Sequence, residues 1–236
     1  MDKALGYDRL AASYQGIEWL VFGSQLQRAR VALIDRLPVW HRLLIFGDGD
    51  GRLLEQLYVH RLRCDQPSAH DGRWSITSVD HSAAMLCRQE SRLAATTGRG
   101  KGSDTSEGTV CFEHIDALCY TPEENAYDVI VTPFFLDCFS QAELAEQLPI
   151  WLSALCRKGA FLHVDFISPK SPWQRPRARL LLWAMHTFFR WQTGLANRRL
   201  VDSQAIITRC GLSKVAEHIG GRGMIAAQLW RFDSSL

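Results

Sequence analysis

The residues best suited to chemistry lie in one short stretch, LLIFGDGDGRLLEQL, from Leu43 to Leu57. Four apolar residues run into glycines at 47, 49 and 51, and an apolar-periodic segment follows. Glycine at such a turn lets the backbone reverse tightly and come close to a bound molecule. A helix starting just after it offers N–H groups that have no partner within the helix. The spacing is Gly-x-Gly-x-Gly, because Arg52 follows Gly51. The dinucleotide fingerprint, Gly-x-Gly-x-x-Gly, is therefore not met. Asp48 and Asp50 inside the turn would repel a pyrophosphate and suit a ligand that lacks phosphates and carries a positive centre.

Other groups capable of chemistry recur at the ends of apolar runs. Asp80 closes WSITSVD, with His81 next to it, and Asp116 follows VCFEHI. Thr132-Pro133-Phe134-Phe135 follows YDVIV, and Asp137 lies just beyond. His163 and Asp165 share one parity in AFLHVDF, with Asp165 nearer the end. Each has a plainer reading: Asp80 as a helix N-cap, Asp116 as a turn residue, Met85 and Phe135 as core, His163 as a satisfied buried imidazole, and Asp137 as a helix start. The seven cysteines are scattered and never form Cys-x-x-Cys, and the eight histidines show no His-x-x-x-His pair, so no metal site is expected. The absence of Gly-x-Ser-x-Gly leaves a hydrolase reading without support.

The elements that must position these groups follow from periodicity. Tyr7, Leu10, Tyr14, Ile17, Leu20 and Val21, then Leu26, Ala29, Leu33 and Leu37, recur at helical spacing up to Pro38. Strands are expected at Leu43–Phe46, Trp74–Asp80, VCFEHID, YDVIVTPFF and AFLHVDF. Helices are expected over Leu53–Leu62, Ser82–Ala95 and QAELAEQLPIWLSALCR, the last leaving through Lys158-Gly159. Arg63–Arg73 reads as a loop and Thr96–Thr109 as a glycine- and serine-rich insertion. LSKVAEHI and GMIAAQLWRF flank GGRG as an antiparallel hairpin. Alternating strands and helices imply an α/β fold: a Rossmann-like, doubly wound, mostly parallel sheet with helices on both faces and the hairpin at its C-terminal edge. With 236 residues and no repeat or linker, a single domain is expected, with residues 1–40 as a helical cap and 171–202 as an insertion over the site.

In order and spacing, LLIFGDGDG, ITSVDHSAAML, FEHIDA, YDVIVTPFFLDCF and GAFLHVDF resemble the class I S-adenosylmethionine-dependent methyltransferases, over roughly Tyr7 to Phe232. The resemblance implies a small-molecule methyltransferase with S-adenosylmethionine as cofactor. It implies that Gly47, Asp48, Gly49 and Gly51 contact the methionine part of the cofactor. Asp80, with His81 beside it, would accept hydrogen bonds from the ribose hydroxyls. Met85, Ile115 and Asp116 would surround the adenine, and Thr132 and Phe134 would line the methyl-transfer channel. Asp137, His163 and Asp165 are candidates for a base. The family usually carries an acid on the first strand, two residues before the first glycine, and Ile45 stands there. A non-catalytic scaffold that kept the fold is the alternative reading.

Ser171–Asp202 holds an apolar stripe of Leu180, Leu181, Trp183, Ala184, Phe188 and Trp191, flanked by Arg175, Arg177, Arg179, Arg190, Arg198 and Arg199. Three readings stay open for it: a lid over an apolar acceptor, a helix at a membrane surface, or an amphipathic helix packed on the sheet. No Asn-Pro-Pro-Tyr-type signature follows the fourth strand, so the resemblance implies a small, apolar or aromatic acceptor methylated at oxygen or carbon. A net charge of +2 argues against nucleic acid as the main partner. Residues 1–20 lack the pattern of a signal peptide, and scattered cysteines fit a reducing compartment, so a cytoplasmic location is expected, with membrane contact through 171–202 left open.

Overall fold

The computed structural model describes residues 24–63, 73–97, 108–167 and 201–233. Residues 1–23 of the expected cap, and all but the last two residues of 171–202, lie outside the described residues.

Five strands, β1 (Arg42–Phe46), β2 (Trp74–Asp80), β3 (Gly108–His114), β4 (Tyr127–Pro133) and β5 (Leu155–Phe166), pair in parallel. Strands β6 (Leu212–Gly220) and β7 (Ile225–Phe232) complete the sheet as an antiparallel pair, with β7 against β5. The order is β3-β2-β1-β4-β5-β7-β6. The chain reverses direction across the sheet between β1 and β4, and open α/β sheets bind ligands in the crevice at such a switch, beyond the carboxyl ends of the strands. This is the expected fold class.

Alternation along each strand builds two cores. Leu43, Ile45, Ile76, Val129, Val131, Leu162 and Leu229 face helices α1 (Gln25–Val31), α2 (Arg52–Arg63) and α3 (Ala83–Thr97). Leu44, Phe46, Val79, Ile130, Phe161 and Trp230 face α4 (Gln141–Ser153) and α5 (Ser203–Arg209). Near-continuous apolar strands are what a sheet covered on both faces requires.

Several boundaries differ from expectation, among them the third strand, which runs Gly108–His114 and ends two residues before Asp116. The helix expected to run to Arg157 ends at Ser153, and Leu155 already pairs with Tyr127 in the sheet. The cause is tertiary: Leu155 is buried in the second core, and Gly159 packs between the Asp128 and Cys156 carbonyls, where no Cβ fits. The fourth strand stops at Pro133, because Phe134 adopts φ +56°, which turns the chain out of the sheet. The first described helix is short, and a 3-10 turn at Ile34–Arg36 precedes Pro38. No helix among the described residues is long and apolar enough to cross a membrane.

Candidate functional site at the carboxyl edge of the sheet

The glycine turn joins β1 to α2. All three glycines are left-handed, at φ +64°, +63° and +84° for Gly47, Gly49 and Gly51. They serve different ends. A Cβ on Gly47 would collide with the Phe135 ring, and one on Gly51 would come within 2.9 Å of the Gln89 backbone. A Cβ on Gly49 would meet nothing within 4 Å. Gly47 and Gly51 thus let packed neighbours approach, whereas Gly49 faces open space.

The two acids of the turn point away from that space. Asp48 accepts hydrogen bonds from Leu53 N–H at 3.2 Å and Leu54 N–H at 2.7 Å, capping α2. Burial at 3% exposure nonetheless pushes its carboxyl up to about 7. Asp50 is 2% exposed and paired with Arg52 Nε at 3.1 Å and Arg92 Nη2 at 3.0 Å. The expectation that these carboxylates give the turn a negative, phosphate-repelling face is therefore corrected. One satisfies helix N–H groups and the other neutralises two arginines.

Gln89 and Asp80 hold the turn in place. Gln89 is fully buried, accepts from Ser78 Oγ at 2.7 Å and donates to the Gly49 carbonyl at 3.0 Å. The Asp80 carboxylate accepts from Ser82 N–H at 2.9 Å, and the Gly49 backbone amide beside it favours its charged form. Ile45, in the position where the resemblance places an acid, is fully buried core. The acid beside the Gly49 backbone amide is instead Asp80, on the neighbouring strand. Desolvation raises the Asp80 carboxyl to about 6, against the lowering effect of those two backbone amides. A carboxylate offers about four lone-pair positions. The Ser82 N–H and the nearby Gly49 amide leave room for two hydroxyls, so Asp80 fits a vicinal diol.

The neighbouring candidates fall around the same end of the sheet. Ile115 N–H donates to the Asp80 carbonyl at 3.2 Å, and the His81 carbonyl lies 3.1 Å from His114 Nε2. One Asp116 oxygen caps the turn at Ala117–Cys119 through Leu118 N–H at 3.0 Å. Met85 is 3% exposed, and its N–H donates to Ser82 Oγ. Phe134 packs on Phe166, with centroids 5.0 Å apart, and the Arg30 guanidinium lies 5.1 Å from its centroid. A cation already sits over this ring. Phe135 stacks on Phe46, as expected for core.

Thr132 is a correction. It is fully buried, and its hydroxyl lies 3.1 Å from His163 Nδ1, so the side chain turns into the sheet's second face and away from the glycine turn.

That contact belongs to a second polar group. Thr132, His163, Gln228 and Glu217 stand opposite one another on β4, β5, β7 and β6, one residue per strand. His163 Nε2 lies 3.2 Å from Ser203 Oγ, and Gln228 Nε2 donates to Glu217 Oε1 at 2.7 Å. A neutral imidazole has one donor and one acceptor, and two hydroxyls satisfy both. Burial lowers His163 to about 4, which keeps the ring neutral. This is the plainer reading of His163, and no lone pair is left for a base.

Asp165 and Asp137 lie beside this row, and with His163, Ser203 and Gln228 they line a cavity of about 60 Å³. The Asp165 carboxyl accepts from Phe166 N–H at 2.8 Å, and the Asp137 backbone amide lies beside it. Burial and the charge of Asp137 raise it well above the carboxylate range, and burial pushes Asp137 up to about 7. All three candidates for a base thus surround one chamber. No group of three or more His, Cys, Asp or Glu side chains among the described residues is placed to hold a metal.

No protein-family model and no curated protein matches the chain. Solved structures do. The chain is similar to the mitomycin 7-O-methyltransferase at 14% identity and a TM-score of 0.60, covering 96% of this chain and 60% of that one. It is similar to an O-methyltransferase family 2 protein from Planctomyces limnophilus, solved with apigenin, at 16% identity and a TM-score of 0.61, covering 96% and 62%. It is also similar to magnesium protoporphyrin IX methyltransferase from Synechocystis, solved with S-adenosylhomocysteine, at 13% identity and a TM-score of 0.55, covering 97% and 84%. The chain spans about three fifths of the length of the first two. At these identities the likeness establishes the fold, which is that of the class I S-adenosylmethionine-dependent methyltransferases.

Proposed function

We propose that this chain transfers a methyl group from S-adenosylmethionine to a small, apolar or aromatic acceptor, at oxygen or carbon. The observation that carries the reading is the pair Gly49 and Asp80. A left-handed glycine opens onto free space, beside a carboxylate with lone pairs left for a diol. The methyltransferases among its neighbours in fold support it.

Bound there, S-adenosylmethionine supplies an electrophilic methyl group on a sulfonium. The residues of this chain position it. Gly49 gives a backbone surface without a side chain, Asp80 accepts from the ribose hydroxyls, and Ile115, Asp116 and Met85 flank the adenine. Transfer to a nucleophile in line with the breaking bond depends mainly on alignment in a dry site. Phe134, turned out of β4 at φ +56°, would form one wall between cofactor and acceptor.

Calorimetry with S-adenosylhomocysteine tests the cofactor. Binding is expected, and Asp80→Ala should weaken it about fifty-fold, as expected for losing hydrogen bonds to a charged acceptor. Incubation with methyl-labelled cofactor and a fractionated cell extract tests transfer and should label a small metabolite. Absence of binding overturns the reading, and binding without label in any fraction favours the scaffold alternative.

A further inference from the structure

Gly49 is held by hydrogen bonds rather than by packing. A Cβ there would meet nothing within 4 Å, so no neighbouring side chain wedges this part of the turn. The left-handed glycines at 47, 49 and 51 give the segment wide backbone freedom. Its Gly49 and Asp50 carbonyls are nevertheless tied down, both from α3. Gln89 Nε2 donates to the Gly49 carbonyl at 3.0 Å, and Ser78 Oγ on β2 donates to Gln89 Oε1 at 2.7 Å. One turn further along the same face of the helix, Arg92 Nε donates to the Asp50 carbonyl at 2.9 Å. The same guanidinium reaches the Asp50 carboxylate through Nη2 at 3.0 Å, and Glu55 in the first turn of α2 through Nη1 at 3.5 Å. Thr96 Oγ1 donates to the other Glu55 oxygen at 2.7 Å. One planar fork thus joins the turn, α2 and α3. Neutralising Asp50 alone would not require a bond to its carbonyl. Fixing a carbonyl fixes the plane of its peptide, and with it the N–H on the opposite edge. The two contacts therefore set which backbone groups the turn presents.

We propose that Arg92 and Gln89 are positioning residues for the cofactor site, which hold the Gly49 and Asp50 peptides in the binding geometry before a ligand arrives. The clamp stands on its own contacts, and its part in cofactor binding rests on the methyltransferase reading above. Neither side chain is assigned a contact with the cofactor. Gln89 is fully buried, and Arg92 is engaged by Asp50 and Glu55. Order present beforehand is order that binding does not have to supply, so loosening the turn lowers affinity without removing a contact.

The test compares Arg92→Lys with the parent chain by NMR relaxation of the Gly49 and Gly51 backbone amides, without ligand, and by calorimetry with S-adenosylhomocysteine. Lysine keeps a positive charge for Asp50, but its single ammonium on a flexible stem does not reproduce the fork. A role limited to neutralising Asp50 is rescued by lysine, and a positioning role is not. Order parameters of about 0.85 are expected in the parent and below about 0.6 in Arg92→Lys. Affinity should fall about five- to tenfold. Ser140→Ala, in α4, is the control for lost stability and should change neither. Gln89→Met removes the donor to Gly49 at similar side-chain volume and should act in the same direction as Arg92→Lys. If it does not fold, Arg92→Lys decides alone. A turn already mobile in the parent, or order parameters unchanged in Arg92→Lys, overturns the clamp. Greater mobility with unchanged affinity overturns its part in binding. If the parent does not bind S-adenosylhomocysteine, the methyltransferase reading fails, and the relaxation data still decide the clamp.

Discussion

Gly49 and Gly51 look alike in the sequence but answer to different constraints. Both are left-handed, and a Cβ costs roughly 1–2 kcal/mol in that conformation. Gly51 also presses on the Gln89 backbone at 2.9 Å, which adds overpacking of about 1–3 kcal/mol. Gly51→Ala should therefore lower the melting temperature by about 8 °C, and Gly49→Ala by only about 3 °C. Binding should reverse the order. The Gly49 methyl would stand in open space where the cofactor is proposed to lie, and should cost about tenfold or more in S-adenosylhomocysteine affinity. Similar melting losses in both variants would contradict this division of labour. Asp80 sets a pH dependence. Its carboxyl titrates near 6, and the charged form is the better acceptor of two hydroxyl protons. Affinity for S-adenosylhomocysteine should fall as pH drops from 7.5 toward 5, and Asp80→Asn should flatten that dependence. Equal slopes in the two proteins would remove Asp80 from the cofactor's ribose.

Helix α4 shows how a local signal becomes an element. Ser140 Oγ accepts from Glu143 N–H at 3.2 Å, and Glu143 Oε2 accepts from Ser140 N–H at 2.7 Å, forming a capping box. Ser140→Ala should cost about 1 kcal/mol, a fall of about 3 °C in melting temperature. No change would mean that packing of Leu144, Leu148 and Trp151 alone holds the helix. The far end of α4 was not legible. Leu155–Arg157 would suit a helix, but pairing of Leu155 with Tyr127 draws it into β5. Helix α2 carries the same lesson at its start. Asp48 lies five residues before Leu53 and caps it through a turn whose geometry needs three left-handed glycines, so the cap could not be recognised from spacing to the first helical residue.

Across the whole molecule, buried carboxyl groups set the response to pH. Asp48, Asp80 and Asp137 are raised to about 7, 6 and 7, and Asp165 is raised well above its ordinary value. Each keeps its proton in the folded chain at pH values where the unfolded chain has lost it. The stability they contribute is full below the unfolded value near 3.9 and is lost as pH rises through the folded values. His163, lowered to about 4, acts the other way, and its contribution is lost as pH falls from about 6.5 toward 4. Four carboxyl groups outweigh one imidazole. The urea midpoint at pH 5.5 should therefore exceed that at pH 8, and the reverse order would show that these groups are better solvated than their burial implies.

The sequence by itself determined the strand and helix order, the terminal hairpin, the glycine turn and Asp80 at a strand end, because periodicity, turn chemistry and residue type are local properties. It also gave His163 and Asp165 a common face through strand parity. The tertiary structure decided where the side chains of the turn point. Asp48 and Asp50 read as a charged loop until α2 and Arg92 were brought against them. Gln89 and Gln228 carried only faint signals, the latter as the one polar residue between Met224 and Trp230. Their roles depend on partners 40 residues away for Gln89 and 11 for Gln228. Thr132, His163, Gln228 and Glu217 become a row only once four strands are in register, and register is a property of the assembled sheet.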